Sequence, residues 1–133
     1  KKTMMNTLPL LYQNKLIGKK QDENKVTYAN KFSPEDRKIN FHNSSADVYN
    51  HIRAHGPKPG SWFTYKGERI KIIKAKKTNK SGQSSTILNK DFMIACKDGG
   101  ILPLLIQREG KKTVNIDDFL RGFTFKIQDE LNA

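Results

Sequence analysis

Cysteine is almost missing from this 133-residue chain: Cys96 stands alone, so an internal disulfide and a paired-cysteine zinc finger are both excluded. Long apolar runs are missing as well. Leu8-Pro9-Leu10-Leu11 and Ile101-Leu102-Pro103-Leu104-Leu105-Ile106 are short and interrupted by proline, far below the roughly 18 to 20 residues that span a bilayer. At the start, Lys1-Lys2 leads into too short an apolar stretch, with no small-residue cleavage site, to be a signal peptide. No membrane partner is expected, and a lone thiol fits the reducing cytoplasm. Because position 1 is Lys rather than Met, the chain is expected to be a piece of something longer. Acid is the other scarcity, with 13 Asp and Glu against 25 Lys and Arg, a net charge of +12.

What is present is enough for one domain and not two. Hydrophobic residues make up 35% and the mean hydropathy is −0.73, but seven Phe, four Tyr and one Trp can seed a core. A chain of this size buries roughly two-thirds of its unfolded surface. Its positive charge is uneven. Residues 66–80 hold Lys66, Arg69, Lys71, Lys74, Lys76, Lys77 and Lys80 against the single acid Glu68, which makes this stretch +6, half of the total. Residues 81–133 are balanced, and residues 1–20 carry five Lys and no acid. Clustered Lys and Arg release condensed counterions when they meet phosphates, so the stretch is a candidate polyanion-binding stripe. The plain alternative is a solvated strand face kept soluble by lysine. No RNP-like aromatic motif or zinc-finger spacing names a particular nucleic acid.

Apolar spacing predicts a helix over residues 4–17 ending at Gly18, bent or shortened by Pro9. Residues 18–42 are polar and read as a linker laid along the surface. A second helix is expected from Ser44 to His55, capped by Asn43 or Ser44, with Asp47 in its first turn and Gly56-Pro57 as its stop. From there the period changes to two. Trp62 to Tyr65 and Arg69 to Ala75 read as strands joined at Lys66-Gly67-Glu68. Further strands are expected at Thr86 to Leu88, Phe92 to Lys97, Ile101 to Arg108 and Phe123 to Ile127, with a hairpin turn at Asp98-Gly99-Gly100. Pro103 argues for an edge strand or a bulge. Asn115 caps a short helix that ends at Gly122. The fold class is therefore mainly β, a small OB-like antiparallel barrel with one packed helix, preceded by a linker and a short N-terminal helix. Strict alternation from Arg69 to Lys74 puts Lys71 and Lys74 on opposite faces, which weakens a one-sided stripe.

Catalytic and metal-binding patterns are scarce. His51 and His55 lie four apart on a helix, but no Glu follows His51 as HExxH requires, so they read as ordinary surface histidines. Cys96, mid-strand, reads as a buried structural thiol. Asp98-Gly99-Gly100 lacks GxxxxGK[ST], and adjacent Asp117-Asp118 do not face each other on a helix. Neither a Ser-His-Asp set nor a dinucleotide fingerprint emerges.

Thr27-Tyr28-Ala29-Asn30-Lys31, Ile52-Arg53-Ala54, Pro57-Lys58-Pro59-Gly60-Ser61-Trp62, Asp98-Gly99, Gln107-Arg108-Glu109-Gly110-Lys111-Lys112 and Asp118-Phe119-Leu120-Arg121-Gly122 occur in an order and spacing that resembles the C-terminal part of methionyl-tRNA formyltransferase. The resemblance implies that residues 1–17 are the last helix of a Rossmann-like catalytic domain, 18–42 a linker and 43–133 an OB-like tRNA-binding domain. It implies formyl transfer from the co-substrate 10-formyltetrahydrofolate to the methionyl amino group of initiator tRNA. The family's catalytic Asn, His and Asp belong to the upstream domain, so no catalytic residue is expected in this chain, and His42, His51 and His55 are not put in their place. No cofactor is expected on the fragment, which by itself is expected to be inactive and monomeric. The tRNA contacts implied are Arg69, Lys71, Lys74, Lys76 and Lys77, with Lys19, Lys20 and Lys25 from the linker, and Arg53 and Lys58. Arg53 has a structural alternative, a salt bridge at its helix end. Two other readings share these features: another formyltetrahydrofolate-dependent formyltransferase, and a stand-alone OB-type RNA-binding module.

Overall fold

Residues 2–132 are described by the computed structural model, in two units that divide between Lys31 and Phe32. Residues 1 and 133, the outer ends of the segments expected at 1–17 and 43–133, lie outside the described residues. In the first unit α1 runs Lys2–Tyr12 with Pro9 inside it, and none of its residues is buried. It stops short of the expected Gly18 because Asn14 takes a left-handed φ of 53°, and the amides of Asn14 and Lys15 close onto the carbonyls of Leu11 and Leu10, each at 3.0 Å. Asparagine tolerates that conformation where most residues do not. A single 3-10 turn follows at Glu23–Lys25, begun by the Asp22 carboxylate accepting from the Asn24 amide at 3.0 Å.

The second unit opens with a 3-10 turn at Glu35–Arg37, and then Ile39 and Phe41 go straight into the core, 1% and 0% exposed. The end of the polar stretch 18–42 is thus not laid along the surface. Two large apolar side chains have no better place than the barrel interior, and the Ile39 amide donates to the Trp62 carbonyl at 2.7 Å. Helix α2, Ser45–His55, starts where expected. Ser44 Oγ accepts from the Asp47 amide at 3.0 Å, and Asp98, 53 residues on, accepts from the Ser45 amide at 2.7 Å. That bond holds the Asp98 carboxyl below its usual range. Val48 and Ile52 face the core.

Strands β1 (Ser61–Tyr65) and β2 (Glu68–Thr78) are joined by Lys66-Gly67, both at positive φ, the turn whose twist matches a hairpin. β3 (Ile94–Cys96), β4 (Gly99–Arg108) and β5 (Val114–Asn115) complete an antiparallel sheet in the order β1-β2-β4-β3, with β5 on β4. α3 (Ile116–Arg121) is capped by Asn115, whose side chain accepts from the Asp118 amide at 2.8 Å. The protein is mainly β and antiparallel, as expected.

No ladder joins β3 to β1, so the five-stranded sheet itself is not closed, and irregular segments bridge its open side instead. Residues 85–87 lie beside β3 through the Ala95 amide to Thr86 and the Ser85 amide to Ala95. Residues 128–132 then lie beside 85–87, with the Leu131 amide donating to Ser85 at 2.8 Å, and the Asn132 amide reaches Thr64 on β1 at 2.8 Å. The expected strands at 86–88 and 92–97 reduce to isolated bridges and the three residues of β3. No strand forms at 123–127, because Phe123 and Phe125 turn onto Phe92 at 5.8 and 5.0 Å instead of entering a ladder. β4 is flanked on both sides but not at Pro103, where the β2–β4 ladder carries the bulge expected there as the alternative to an edge. Pro103 sits where β3 has ended at Ile101 and β5 has not begun at Leu105, opposite an irregularity in β2. A missing N–H is tolerated at such a gap.

Candidate nucleic-acid interface

The irregularity opposite Pro103 decides where the basic residues point. Ile72 pairs with Ile106 and Ala75 with Pro103, but between them Lys74 pairs with Leu105, so both strands change phase together. Inward residues run Ile70, Ile72, then Ala75 on β2 and Ile106, Pro103, Ile101 on β4. Arg69, Lys71, Lys74 and Lys76 therefore share the outer face. A slip of one position in a strand moves side chains to the other face, and here it gathers them on one. The alternation read from the sequence, which divided these residues between two faces, is corrected by it. Arg69 to Lys76 covers roughly 23 Å of strand at 3.3 Å per residue.

Lys58 joins this face from the loop between α2 and β1. Its place depends on two glycines. A Cβ on Gly56 would lie 3.1 Å from the Ile73 carbonyl, and one on Gly60, at φ +84°, would lie 3.1 Å from Ile73 Cδ1 and 3.4 Å from Lys71 Cδ. Only glycine lets the loop sit this close to the irregular part of β2. Lys77 and Arg53 are elsewhere: Lys77 Nζ lies 6.0 Å and the Arg53 guanidinium 5.5 Å from the Tyr49 ring on α2. They form a second, smaller cluster.

Arg69, Lys71, Lys74, Lys76, Lys77, Arg53 and Lys58 make no ion pair among the described residues. The salt bridge considered for Arg53 at its helix end does not form. Glu68, the single acid of the basic stretch, is held by Arg108 at 2.7 and 2.8 Å, so it offsets none of these charges. In the first unit, by contrast, Lys20 pairs with Glu23 at 3.2 Å and Lys25 with Asp22 at 3.8 Å, while Lys19 is exposed without an ion pair. Such exposed pairs contribute little and open easily to a phosphate.

Trp62 was not singled out in the sequence as part of the site. Its ring, 4% exposed, lies under the Arg69 guanidinium at 4.1 Å, with Lys38 Nζ at 5.7 Å. The hairpin carried the signal. A two-residue turn at Lys66-Gly67 pairs Trp62 with Lys71 and puts Arg69 on its diagonal, within reach of a long side chain. His51 and His55 are half-buried rather than on the surface: their rings stand 4.6 Å apart and Phe32 packs edge-on against His55 at 5.4 Å. Burial holds His51 below its usual range. Among the described residues no group of three or more His, Cys, Asp or Glu is placed to hold a metal, and no helix is long and apolar enough to cross a membrane. Cys96 is fully buried, and desolvation pushes its thiol up to about 12.

Residues 31–124 match the family model described as formyl transferase, C-terminal domain. The chain is 34% identical over 113 residues to a methionyl-tRNA formyltransferase of Pelagibacter ubique, covering 84% of this chain and 36% of that protein. It is 41% identical over 106 residues to the same enzyme of Sinorhizobium fredii, covering 77% and 34%. The chain thus spans about a third of the length of the curated relatives it matches. HypX from Aquifex aeolicus, solved in complex with tetrahydrofolic acid, shares the fold with a TM-score of 0.62 at 13% identity, over 94% of this chain and 25% of that one. With a family match across most of its length, on a barrel whose outer face is basic and unpaired, this chain belongs to the formyl transferase C-terminal domain family.

Proposed function

We propose that the chain is the tRNA-holding C-terminal part of a methionyl-tRNA formyltransferase, acting in translation initiation in the cytoplasm. The observation that carries this is the one-sided basic face of β2, unpaired and joined by Lys58, in a chain whose curated relatives are methionyl-tRNA formyltransferases. In this reading Arg69, Lys71, Lys74 and Lys76 lie along the phosphates of initiator methionyl-tRNA. Lys77 and Arg53 meet a neighbouring part of the same backbone, and Lys19, Lys20 and Lys25 assist from the linker, residues 18–42. The exposed apolar side chains of α1, among them Met4, Met5 and Leu11, belong to the last helix of the catalytic domain. Formyl transfer from 10-formyltetrahydrofolate takes place on groups that precede this chain in the whole enzyme. The chain itself is a monomer that binds tRNA and transfers nothing.

The test is the salt dependence of initiator tRNA binding by the 133-residue chain. Each lysine on a phosphate contributes about 0.7 to 0.9 to the slope of log affinity against log salt. Replacing Lys74, Lys76 and Lys77 together with Ala is expected to lower the slope by roughly two units or more. An unchanged slope in a variant that still folds overturns the assignment.

A further inference from the structure

The outer face holds two adjoining depressions that share Lys71 and Gln107. One, of about 260 Å³, is bounded by Arg69 and Gly110; the other, of about 650 Å³, by Lys58 and Thr113. Together they form a shallow groove across β2 and β4. Along the outer face the cations differ in how firmly they are held, and Lys74 and Lys76 lie beyond the groove's lining. Lys74 and Lys76 are exposed on flexible stems. Arg69 is half-buried, with its guanidinium 4.1 Å from the Trp62 ring. That ring is itself fixed, because Trp62 Nε1 donates to the Pro34 carbonyl at 2.9 Å. The other arginine of the groove, Arg108, has its fork occupied by Glu68. Arg69 makes no ion pair among the described residues. A guanidinium stacked on an aromatic ring loses little further freedom on binding, and its donors match the two oxygens of a phosphate. The one carboxylate bounding this end, Glu109, is exposed at the turn.

We infer that Arg69, held on Trp62, is a fixed fork that seats one internal phosphodiester of the bound RNA and sets the register of its backbone, while Lys74 and Lys76 act as loose charges along the same strand. This rests on the tRNA-binding reading above. The groove continues past Lys71 and Gln107 in both directions, so it suits a passing backbone rather than a terminal phosphate.

Arg69→Lys keeps the charge and removes the fork, and the test uses the full chain with initiator tRNA. The expected result is a loss of affinity of about tenfold with the salt slope and melting temperature unchanged. Lys90→Arg, at an exposed residue outside the groove, is expected to bind as the parent does. Trp62 is the one tryptophan of the chain, so its emission reports on the seat directly. A tRNA-induced change is expected in the parent and in Lys76→Ala, and none in Arg69→Ala. Removing the 5′ phosphate of the tRNA is expected to leave affinity within twofold. Parent-like affinity of Arg69→Lys, or a parent Trp62 that does not respond to bound tRNA, overturns the fork while leaving tRNA binding intact. A large loss with dephosphorylated tRNA overturns the internal position. A parent chain that binds no tRNA at all overturns both this inference and the function it rests on.

Discussion

Leu131→Ala measures how much the irregular closure of the barrel contributes. Leu131 is 1% exposed, its amide donates to the Ser85 carbonyl, and its carbonyl accepts from the buried Ser85 hydroxyl at 2.8 Å. The substitution leaves both backbone bonds in place and deletes three buried carbon atoms. At about 0.8 kcal/mol per carbon the transfer loss is roughly 2.4 kcal/mol. The cavity left in the core adds to this, within the range of roughly 2 to 5 kcal/mol seen for buried leucines. A loss of about 3 kcal/mol is therefore expected. For a unit of this size each kcal/mol moves the midpoint by about 4 to 8 °C, so melting followed by far-UV circular dichroism is expected to fall by about 12 to 24 °C. A fall below about 4 °C refutes the idea that residues 128–132 close the barrel. The family match ends at residue 124, before this segment begins, so nothing in that match anticipates the result.

Three further outcomes follow from the same geometry. Asp129 accepts from the Tyr65 hydroxyl and the Lys126 amide and pairs with Lys66, which holds its carboxyl at about 2. Because the folded value lies below the unfolded one near 3.9, the contribution is whole above about pH 4 and fades as pH falls toward 2; the urea midpoints of parent and Asp129→Asn are expected to converge over that interval. Cys96, with its thiol at about 12, is expected to be silent to a thiol reagent at pH 8 until the chain is unfolded, and fast labelling of the native protein refutes its burial. Gly60→Ala, forced to φ +84° and against Ile73, is expected to cost about 1 to 2 kcal/mol and, by moving Lys58, to weaken tRNA binding with a smaller salt slope.

How much of this was legible beforehand depends on how local the determinant is. The cap at Ser44, the stop at Gly56 and the turn at Lys66-Gly67 were readable because each is set by a few neighbouring residues. The shared face of Arg69, Lys71, Lys74 and Lys76 was not, since the change of phase near Ile73 and Lys74 depends on β4, some thirty residues away. Phe123 and Phe125 alternate as a strand does, and only the position of Phe92 explains why they pack without pairing. Ile39 and Phe41 were grouped with a polar stretch because composition averages over neighbours while burial acts on single side chains. Trp62 lay one pairing step beyond the reading: the hairpin was identified, but its register was not followed to the diagonal neighbour.

The closing contacts also set an order of events. Asn132 donates to the Ile39 carbonyl, and Thr64 to the Asn132 side chain, across separations of 93 and 68 residues. Contacts that far apart in sequence form slowly, because the chain between them must be ordered before they are gained. On the ribosome, where residues emerge from the N-terminal side, α2 and the β1–β2 hairpin can form early, but the ring stays open until residue 132 is free. For that interval β1 lacks its last neighbour, and the core around Leu131 is exposed to other chains. A synthesis that stalls shortly before this point leaves an open sheet, so residues 128–132 determine whether the basic face is displayed on a closed barrel.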